Sequence, residues 1–116
     1  MRDYTLYLKD ILAAIESIQS FITGMDLESF QEDDKTTSAV MRKLEIIGEA
    51  VKQIPDEIRR KHSQVPWKEM AGMRDKLIHF YFGVDYHLVW KTITERLPQV
   101  KQEIQKGLQK AGHRLT

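Results

Sequence analysis

The sequence predicts an all-α protein, an antiparallel bundle of four to five helices. Apolar residues recur at alternating spacings of four and three in several segments, which places them on one stripe of a helix. No segment alternates apolar and polar residues as a half-buried strand does. The connections between the periodic segments are short, which is typical of antiparallel bundles. The 116 residues fit a single domain, 1–116, with a frayed tail at about 111–116.

The first helix is predicted from about Asp3 to Thr23. Gly24 follows at the position of a helix C-cap. Asp26 can cap a further short turn of helix through Glu28-Ser29-Phe30. The stripe of the first helix consists of Tyr4, Leu8, Ile11, Ile15, Ile18 and Ile22.

The second long helix is predicted after a loop at Asp33-Asp34-Lys35, with Thr36 or Thr37 as its N-cap. It runs to about Ile54. Pro55 ends it or begins the short helix that follows, to about Lys61, because proline fits a helical first turn. The stripe of the second helix consists of Val40, Leu44, Ile47, Val51 and Ile54.

The third long helix is predicted from Pro66-Trp67 to about His79, and the fourth begins near Asp85. Pro98 falls inside the fourth pattern. It is expected to bend that helix or divide it in two, because proline removes one hydrogen bond and clashes with the preceding turn. Trp67, Met70, Arg74 and Leu77 lie near the stripe of the third helix, and Leu88, Val89, Ile93, Leu97, Val100, Ile104 and Leu108 form that of the fourth.

The composition restricts the class of protein. Eighteen basic and seventeen acidic residues give a net charge of +1, so any contact with nucleic acid is expected to be local. The absence of cysteine excludes disulfides and thiolate metal sites. No apolar run is long enough to span a bilayer, and the N-terminus lacks the apolar core of a signal peptide. We therefore expect a mature cytoplasmic protein without membrane contact.

Functional side chains are concentrated in one short segment, where Arg74, Asp75, His79 and Tyr81 lie within eight positions. A guanidinium can bind a phosphate through two hydrogen bonds and stabilise charge on pentavalent phosphorus. An imidazole can accept or donate a proton near neutral pH. Together they suffice for metal-free RNA cleavage, in which the 2′-hydroxyl attacks the adjacent phosphate and a 2′,3′-cyclic phosphate results.

The spacing of these residues constrains how they can meet. Arg74 and His79 are five residues apart, which places them about 140° apart around a straight helix. They can share a site if the helix ends or loosens before His79, or if a second protomer completes the pair. Asp75 and His79 are i and i+4, so they are neighbours on a regular helix, and Asp75 can orient or charge the imidazole.

This segment resembles the Arg-x4-His-x-Tyr motif of the HepT-like proteins of the HEPN group. The similarity covers about Met1 to Leu108. Asp75 stands where many relatives carry Asn, and its negative charge near a phosphate site can lower activity. The flanking segments that resemble the family are Ala39-Val40-Met41-Arg42-Lys43-Leu44-Glu45-Ile46-Ile47-Gly48-Glu49-Ala50, Val65-Pro66-Trp67, Gly72-Met73-Arg74, Tyr81-Phe82-Gly83-Val84-Asp85 and Leu97-Pro98.

The resemblance implies a homodimer of helical bundles, with the two motifs facing each other across a cleft. It implies a metal-independent endoribonuclease that needs no cofactor and acts on messenger or transfer RNA, with Arg74, His79 and Asp75 as catalytic residues. It also implies a toxin–antitoxin pair of type II or VII. In such a pair a minimal nucleotidyltransferase neutralises the ribonuclease by transferring AMP from ATP to the motif tyrosine, here Tyr81.

Residues outside the motif are weaker candidates. Arg59-Arg60-Lys61 is the best local basic patch and can help guide RNA, although a solvated helix end explains it equally. Arg42-Lys43 is a second basic candidate. His62, His87 and His113 have no ligand-like spacing with one another, so no metal is assigned.

Two other interpretations of the sequence stay open. The chain can be a non-catalytic helical scaffold or binding partner for a nucleotidyltransferase, or a purely structural helical dimer. Tyr81 lies between Phe80 and Phe82, so it can equally belong to a packing surface. Toxicity on expression of this chain alone fits the ribonuclease and not the scaffold.

Overall fold

The structure of the chain, a computed structural model, describes residues 3–78 and 85–110, and only the backbone at Arg74, Leu77, Ile78 and Lys110. These residues form helices and no strand, which confirms the predicted all-α class. The predicted frayed tail at 111–116 lies outside them. None of the described helices combines the length and apolarity needed to cross a bilayer. The elements are α1 (Tyr4–Phe21), α2 (Leu27–Glu32), α3 (Asp34–Lys52), α4 (Asp56–Lys61), α5 (Trp67–Ile78), α6 (Tyr86–Lys91), a π-helical turn (Thr92–Arg96) and α7 (Leu97–Lys110).

Side-chain caps define the first two helices. The Asp3 carboxylate accepts the Thr5 amide at 2.9 Å at the start of α1. Past the end of α1, Gly24 has a φ of 78°, a left-handed conformation that glycine adopts without steric cost. Asp26 and Ser29 then form a reciprocal capping box at α2. The predicted first helix and the predicted turn after it are both confirmed.

The predicted loop at Asp33-Asp34-Lys35 is wrong, because α3 begins at Asp34 and its N-cap is Asp33. The Asp33 carboxylate accepts the Thr36 amide at 3.0 Å and the Thr36 hydroxyl at 2.8 Å. These bonds lower the pKa of the Asp33 carboxyl. Thr36 therefore donates its hydroxyl and does not cap the helix, while Thr37 is buried and donates to the Asp34 carbonyl.

The core lies between α1, α3, α5 and α7, with α3 contacting both α1 and α5. The predicted stripes of α1 and α3 are confirmed as core-forming. Leu88 departs from its predicted stripe, since 38% of it is exposed, whereas Val89 beside it is buried. The fully buried large side chains are Phe30, Leu8, Ile11, Ile15, Ile18, Leu44, Ile47, Met70, Ile93, Leu97, Ile104 and Leu108.

Pro98 was predicted to bend or divide the fourth helix. The structure has a π-helical turn just before it, at Thr92–Arg96, between α6 and α7. The Leu97 amide donates to the carbonyl of Thr92, five residues back, instead of four. Proline has no amide hydrogen, and its ring clashes with the carbonyl four residues earlier, here that of Thr94. A wider turn ahead of Pro98 accommodates that ring, so the chain continues as a helix from Tyr86 to Lys110.

Candidate active site and adjoining groove

Helix α5 carries the first part of the predicted site. Its inner side is formed by Trp67, Met70 and Met73, which are buried. The Trp67 indole Nε1 donates to the carbonyls of Arg59 at 3.1 Å and His62 at 3.0 Å, and so holds the start of α5 against the end of α4. This anchoring sets the direction in which α5 presents the residues near its C-terminal end.

The predicted catalytic residues lie at that C-terminal end. The backbone of Arg74 belongs to α5, and Asp75 after it is exposed. Helix α5 is described as far as Ile78, and His79 and Tyr81 lie outside the described residues. The meeting of Arg74 with His79 and the orientation of His79 by Asp75 therefore stay predictions.

The basic cluster Arg59-Arg60-Lys61 divides into different roles. The Arg59 guanidinium donates to two carbonyls at the end of α3, from Nε to Ile54 at 3.0 Å and from Nη2 to Val51 at 2.8 Å. Its side chain thus joins α3 to α4. Arg60 and Lys61 are exposed, and Lys61 lies 3.9 Å from Glu57.

The second basic candidate, Arg42-Lys43, lies on α3. The exposed Arg42 guanidinium pairs with Glu45 at 3.4 Å, one turn further along the helix. Lys43 is half-buried. Because Arg42 already has a carboxylate partner, this pair offers less uncompensated positive charge than the exposed end of α4.

An open groove of about 810 Å³ runs between the end of α4 and the length of α5. Its polar rim includes Arg60, Lys68 and Lys76, and its floor includes Pro66 and Gly72. The groove reaches from the first turn of α5 to the last. The complete lining is Arg59, Arg60, Ser63, Val65, Pro66, Trp67, Lys68, Glu69, Gly72 and Lys76.

The carboxylate of the groove, Glu69, is held by Arg96 of the π-helical turn. Arg96 Nε donates to Glu69 Oε1 at 3.1 Å, and Nη2 donates to Oε2 at 2.6 Å. The hydrogen bond from Arg96 is the main cause that lowers the pKa of Glu69. Both side chains are more than one-third exposed, so the pair contributes little stability, but it ties the π-helical turn to α5.

Of the groove lining, the sequence indicated Arg59 and Arg60 as a basic patch, but it did not indicate the lysines of α5. A signal for part of the set was present, because Lys68, Gly72 and Lys76 are spaced four apart and therefore share one side of a helix. No such signal existed for Glu69 and Arg96, which are 27 residues apart and meet only in the folded chain.

A second, smaller cavity of about 70 Å³ adjoins the groove, and Glu69 and Lys76 line both. Leu44, Met73 and Val89 line it with apolar atoms, and Leu88 stands partly exposed at it. In the described part of the chain, no three His, Cys, Asp or Glu side chains are grouped closely enough to hold a metal ion.

The described residues form an all-helical bundle, in which α5 carries Arg74, the first residue of the candidate segment. The chain belongs to the ribonuclease HepT-like family, whose profile matches residues 11–107. That range includes α5, the groove and the whole predicted motif from Arg74 to Tyr81. Family membership confirms the expected enzyme class.

Relatives from bacteria and archaea cover nearly the whole chain. A protein of Caldanaerobacter subterraneus subsp. tengcongensis that carries an RNase name is 51% identical over 104 residues, which is 90% of this chain and 93% of the relative. "Probable ribonuclease HepT" of Thermococcus cleftensis is 51% identical over 105 residues, 90% of this chain and 96% of the relative. An RNase-named protein of Methanocaldococcus jannaschii is 50% identical over 105 residues, 90% of each chain. No solved structure matches the chain.

Proposed function

We propose that the chain is a metal-independent endoribonuclease whose active site is the segment from Arg74 to His79. The observation that carries this proposal is the family match over residues 11–107, which spans the segment. Two features of the structure support it. Arg74 lies in the last two turns of α5, and Asp75 is exposed one turn before the position of His79.

The proposed reaction needs only side chains and the RNA itself. His79 accepts the proton of the 2′-hydroxyl as its oxygen forms a bond to the adjacent phosphorus. The bond from phosphorus to the 5′-oxygen breaks, and a protonated imidazole returns a proton to that leaving oxygen. Arg74 stabilises the charge on the phosphoryl oxygens in the transition state. The products are a 2′,3′-cyclic phosphate and a 5′-hydroxyl.

A homodimer is part of this proposal. His79 follows Arg74 by five positions, so a regular helix does not turn both side chains towards one phosphate. A second protomer can supply the missing member of the pair across a cleft. Leu88, which is 38% exposed, offers apolar surface of the kind that protomer contacts bury.

The test of the catalytic proposal is cleavage of a labelled RNA by wild type, His79→Ala and the matched control His87→Ala. His87 is an exposed histidine on α6 outside the proposed site. We expect His79→Ala to lose both the cyclic-phosphate product and growth inhibition, and His87→Ala to retain both. A metal chelator is present in every cleavage reaction. A fully active His79→Ala protein would refute the mechanism.

We further propose that Tyr81 is a regulatory site to which a cognate minimal nucleotidyltransferase transfers AMP, so that the two proteins form a toxin–antitoxin pair. The family resemblance supports this part. Intact mass after co-expression with a nucleotidyltransferase and ATP tests it. The mass is expected to rise by whole AMP units in wild type and not in Tyr81→Phe. An unchanged mass with an active nucleotidyltransferase would exclude the modification.

The competing function is a non-catalytic scaffold for the nucleotidyltransferase. It predicts neither RNA cleavage nor toxicity when this chain is expressed alone. The His79→Ala comparison therefore decides between the two functions, because a scaffold that folds normally is indifferent to loss of that imidazole.

A further inference from the structure

Gly72 lies in the middle of α5. Glycine inside a helix costs about 1 kcal/mol relative to alanine, so its presence calls for a physical reason. At Gly107 in α7 a Cβ would come into van der Waals contact with the His62 ring, at 3.4 Å. For Gly72 no described atom lies within 4 Å of the position that a Cβ would take. Packing among the described residues therefore does not explain Gly72.

Gly72 instead lies in the floor of the groove, and its missing side chain keeps that floor open. The neighbouring floor residues Val65 and Pro66 are apolar. Trp67 is buried, with its indole nitrogen fixed by two carbonyls, so this part of the floor is rigid. The groove therefore offers a rigid apolar surface without a protruding side chain.

Cations stand along the rim of this surface. Within the described part of the chain, Arg60 and Lys68 have neither a hydrogen bond nor an ion pair, and Lys76 forms no salt bridge. The carboxylate in the lining, Glu69, is already neutralised by its two hydrogen bonds from Arg96. The rim is thus locally cationic although the whole chain has a net charge of only +1.

An apolar groove beneath a cationic rim fits single-stranded nucleic acid, whose phosphates meet the rim while an unpaired base contacts the apolar surface beside Pro66 and Gly72. A duplex hides its bases and offers only phosphates. A symmetric contact with a second copy of this chain would bring the same cationic rim, and like charges across an interface are unfavourable.

We propose that the groove between α4 and α5 binds the single-stranded RNA that adjoins the cleaved bond, with a base above Gly72 and phosphates at Arg60, Lys68 and Lys76. This inference rests on the proposed ribonuclease function. Lys76, in the groove lining, follows Arg74 by two residues, so one end of the groove lies at the start of the proposed catalytic segment.

The probe is a labelled single-stranded 2′-O-methyl oligoribonucleotide, which lacks the attacking hydroxyl and so reports binding without cleavage. Dissociation constants are measured over a range of salt concentrations. Replacement of Arg60, Lys68 and Lys76 by alanine should weaken binding about 100-fold at 0.1 M salt and reduce the salt slope by about 2, at about 0.7 per phosphate contact. The matched control replaces three exposed lysines elsewhere, Lys9, Lys35 and Lys91, and should leave the salt slope nearly unchanged.

A second variant tests the groove without changing charge. Gly72→Met places a side chain in the open space above Gly72, and it should weaken binding about tenfold, about 1.4 kcal/mol, because it occupies the position proposed for a base. Methionine is the better helix former, so the variant should remain folded. Sedimentation velocity shows whether its oligomeric state is unchanged.

Wild-type affinity in both groove variants would overturn the proposal. A change of oligomeric state in Gly72→Met would also overturn it, because the groove would then be a contact between protein chains. The two functional proposals fail separately. RNA that binds in the groove but is never cleaved contradicts only the catalytic proposal, whereas normal cleavage and binding by the groove variants contradicts only the groove.

Discussion

Replacement of Arg59 by methionine tests the structural role that the fold assigns to this residue. Methionine retains much of the apolar stem but removes both donors at the end of α3. The Ile54 carbonyl, followed by Pro55, then loses its hydrogen bond from Arg59 Nε at 3.0 Å. The Val51 carbonyl loses the bond from Nη2 at 2.8 Å but keeps the Ile54 amide at 3.1 Å.

The magnitude follows from these contacts. A hydrogen bond from a charged group contributes about 1.5–3 kcal/mol, so two of them set an upper range of about 3–6 kcal/mol. Arg59 is only half-buried, and one of its acceptors keeps another donor, so water compensates part of the loss. We expect a decrease of about 2–3 kcal/mol in the free energy of unfolding. For a chain near 100 residues this lowers the Tm by about 10 °C.

The assay is urea unfolding followed by far-ultraviolet circular dichroism, with Arg60→Met as the matched control. Arg60 is the exposed neighbour on α4 and has no hydrogen bond or ion pair within the described residues. We expect the control to unfold at the wild-type urea concentration. Equal urea midpoints for Arg59→Met and Arg60→Met would refute the reasoning. Arg59 would then be a solvated surface cation, as the sequence suggested.

Two further substitutions test local packing and capping. Gly107→Val places a branched side chain against the His62 ring, 3.4 Å from the Cβ position, and should lower the free energy of unfolding by about 1–3 kcal/mol in the same urea assay. Asp33→Asn tests pH dependence. Hydrogen bonds from Thr36 lower the pKa of the Asp33 carboxyl, so it stabilises the folded chain above the unfolded pKa of about 3.9. That contribution disappears as the pH falls through the lower folded pKa. The urea midpoint is measured at neutral pH and again below that folded pKa. The difference between the two midpoints should be smaller in Asp33→Asn than in wild type, and an unchanged difference would contradict the assigned cap.

Helix positions were predictable wherever apolar periodicity and a cap agreed. The stripes of α1 and α3 became core, and Asp3 and Asp26 capped the helices that follow them. The error at Asp33 arose because several capping residues stand in succession there, from Asp33 to Thr37. Periodicity cannot choose among adjacent caps, since that choice depends on which side chain reaches a free amide.

The functional segment was predictable in sequence but not in geometry. Its residue types predict the chemistry proposed for it, whereas His79 and Tyr81 lie outside the described residues. Arg59 looked like a surface cation because its carbonyl partners Ile54 and Val51 become available only when α3 ends and the chain turns back. The groove depends on two helices that meet in space, and a single-helix pattern cannot show such a meeting.

The placement of the two tryptophans has an optical consequence. Trp67 lies in the groove floor. Trp90 of α6 instead packs on Phe30 of α2, with ring centroids 5.2 Å apart. The sequence contains no other tryptophan. A Trp90→Phe variant would therefore have a single intrinsic fluorophore, placed where the RNA is proposed to lie. The emission of that fluorophore would follow occupation of the groove in unlabelled protein, with unmodified RNA, on the timescale of a stopped-flow mixer.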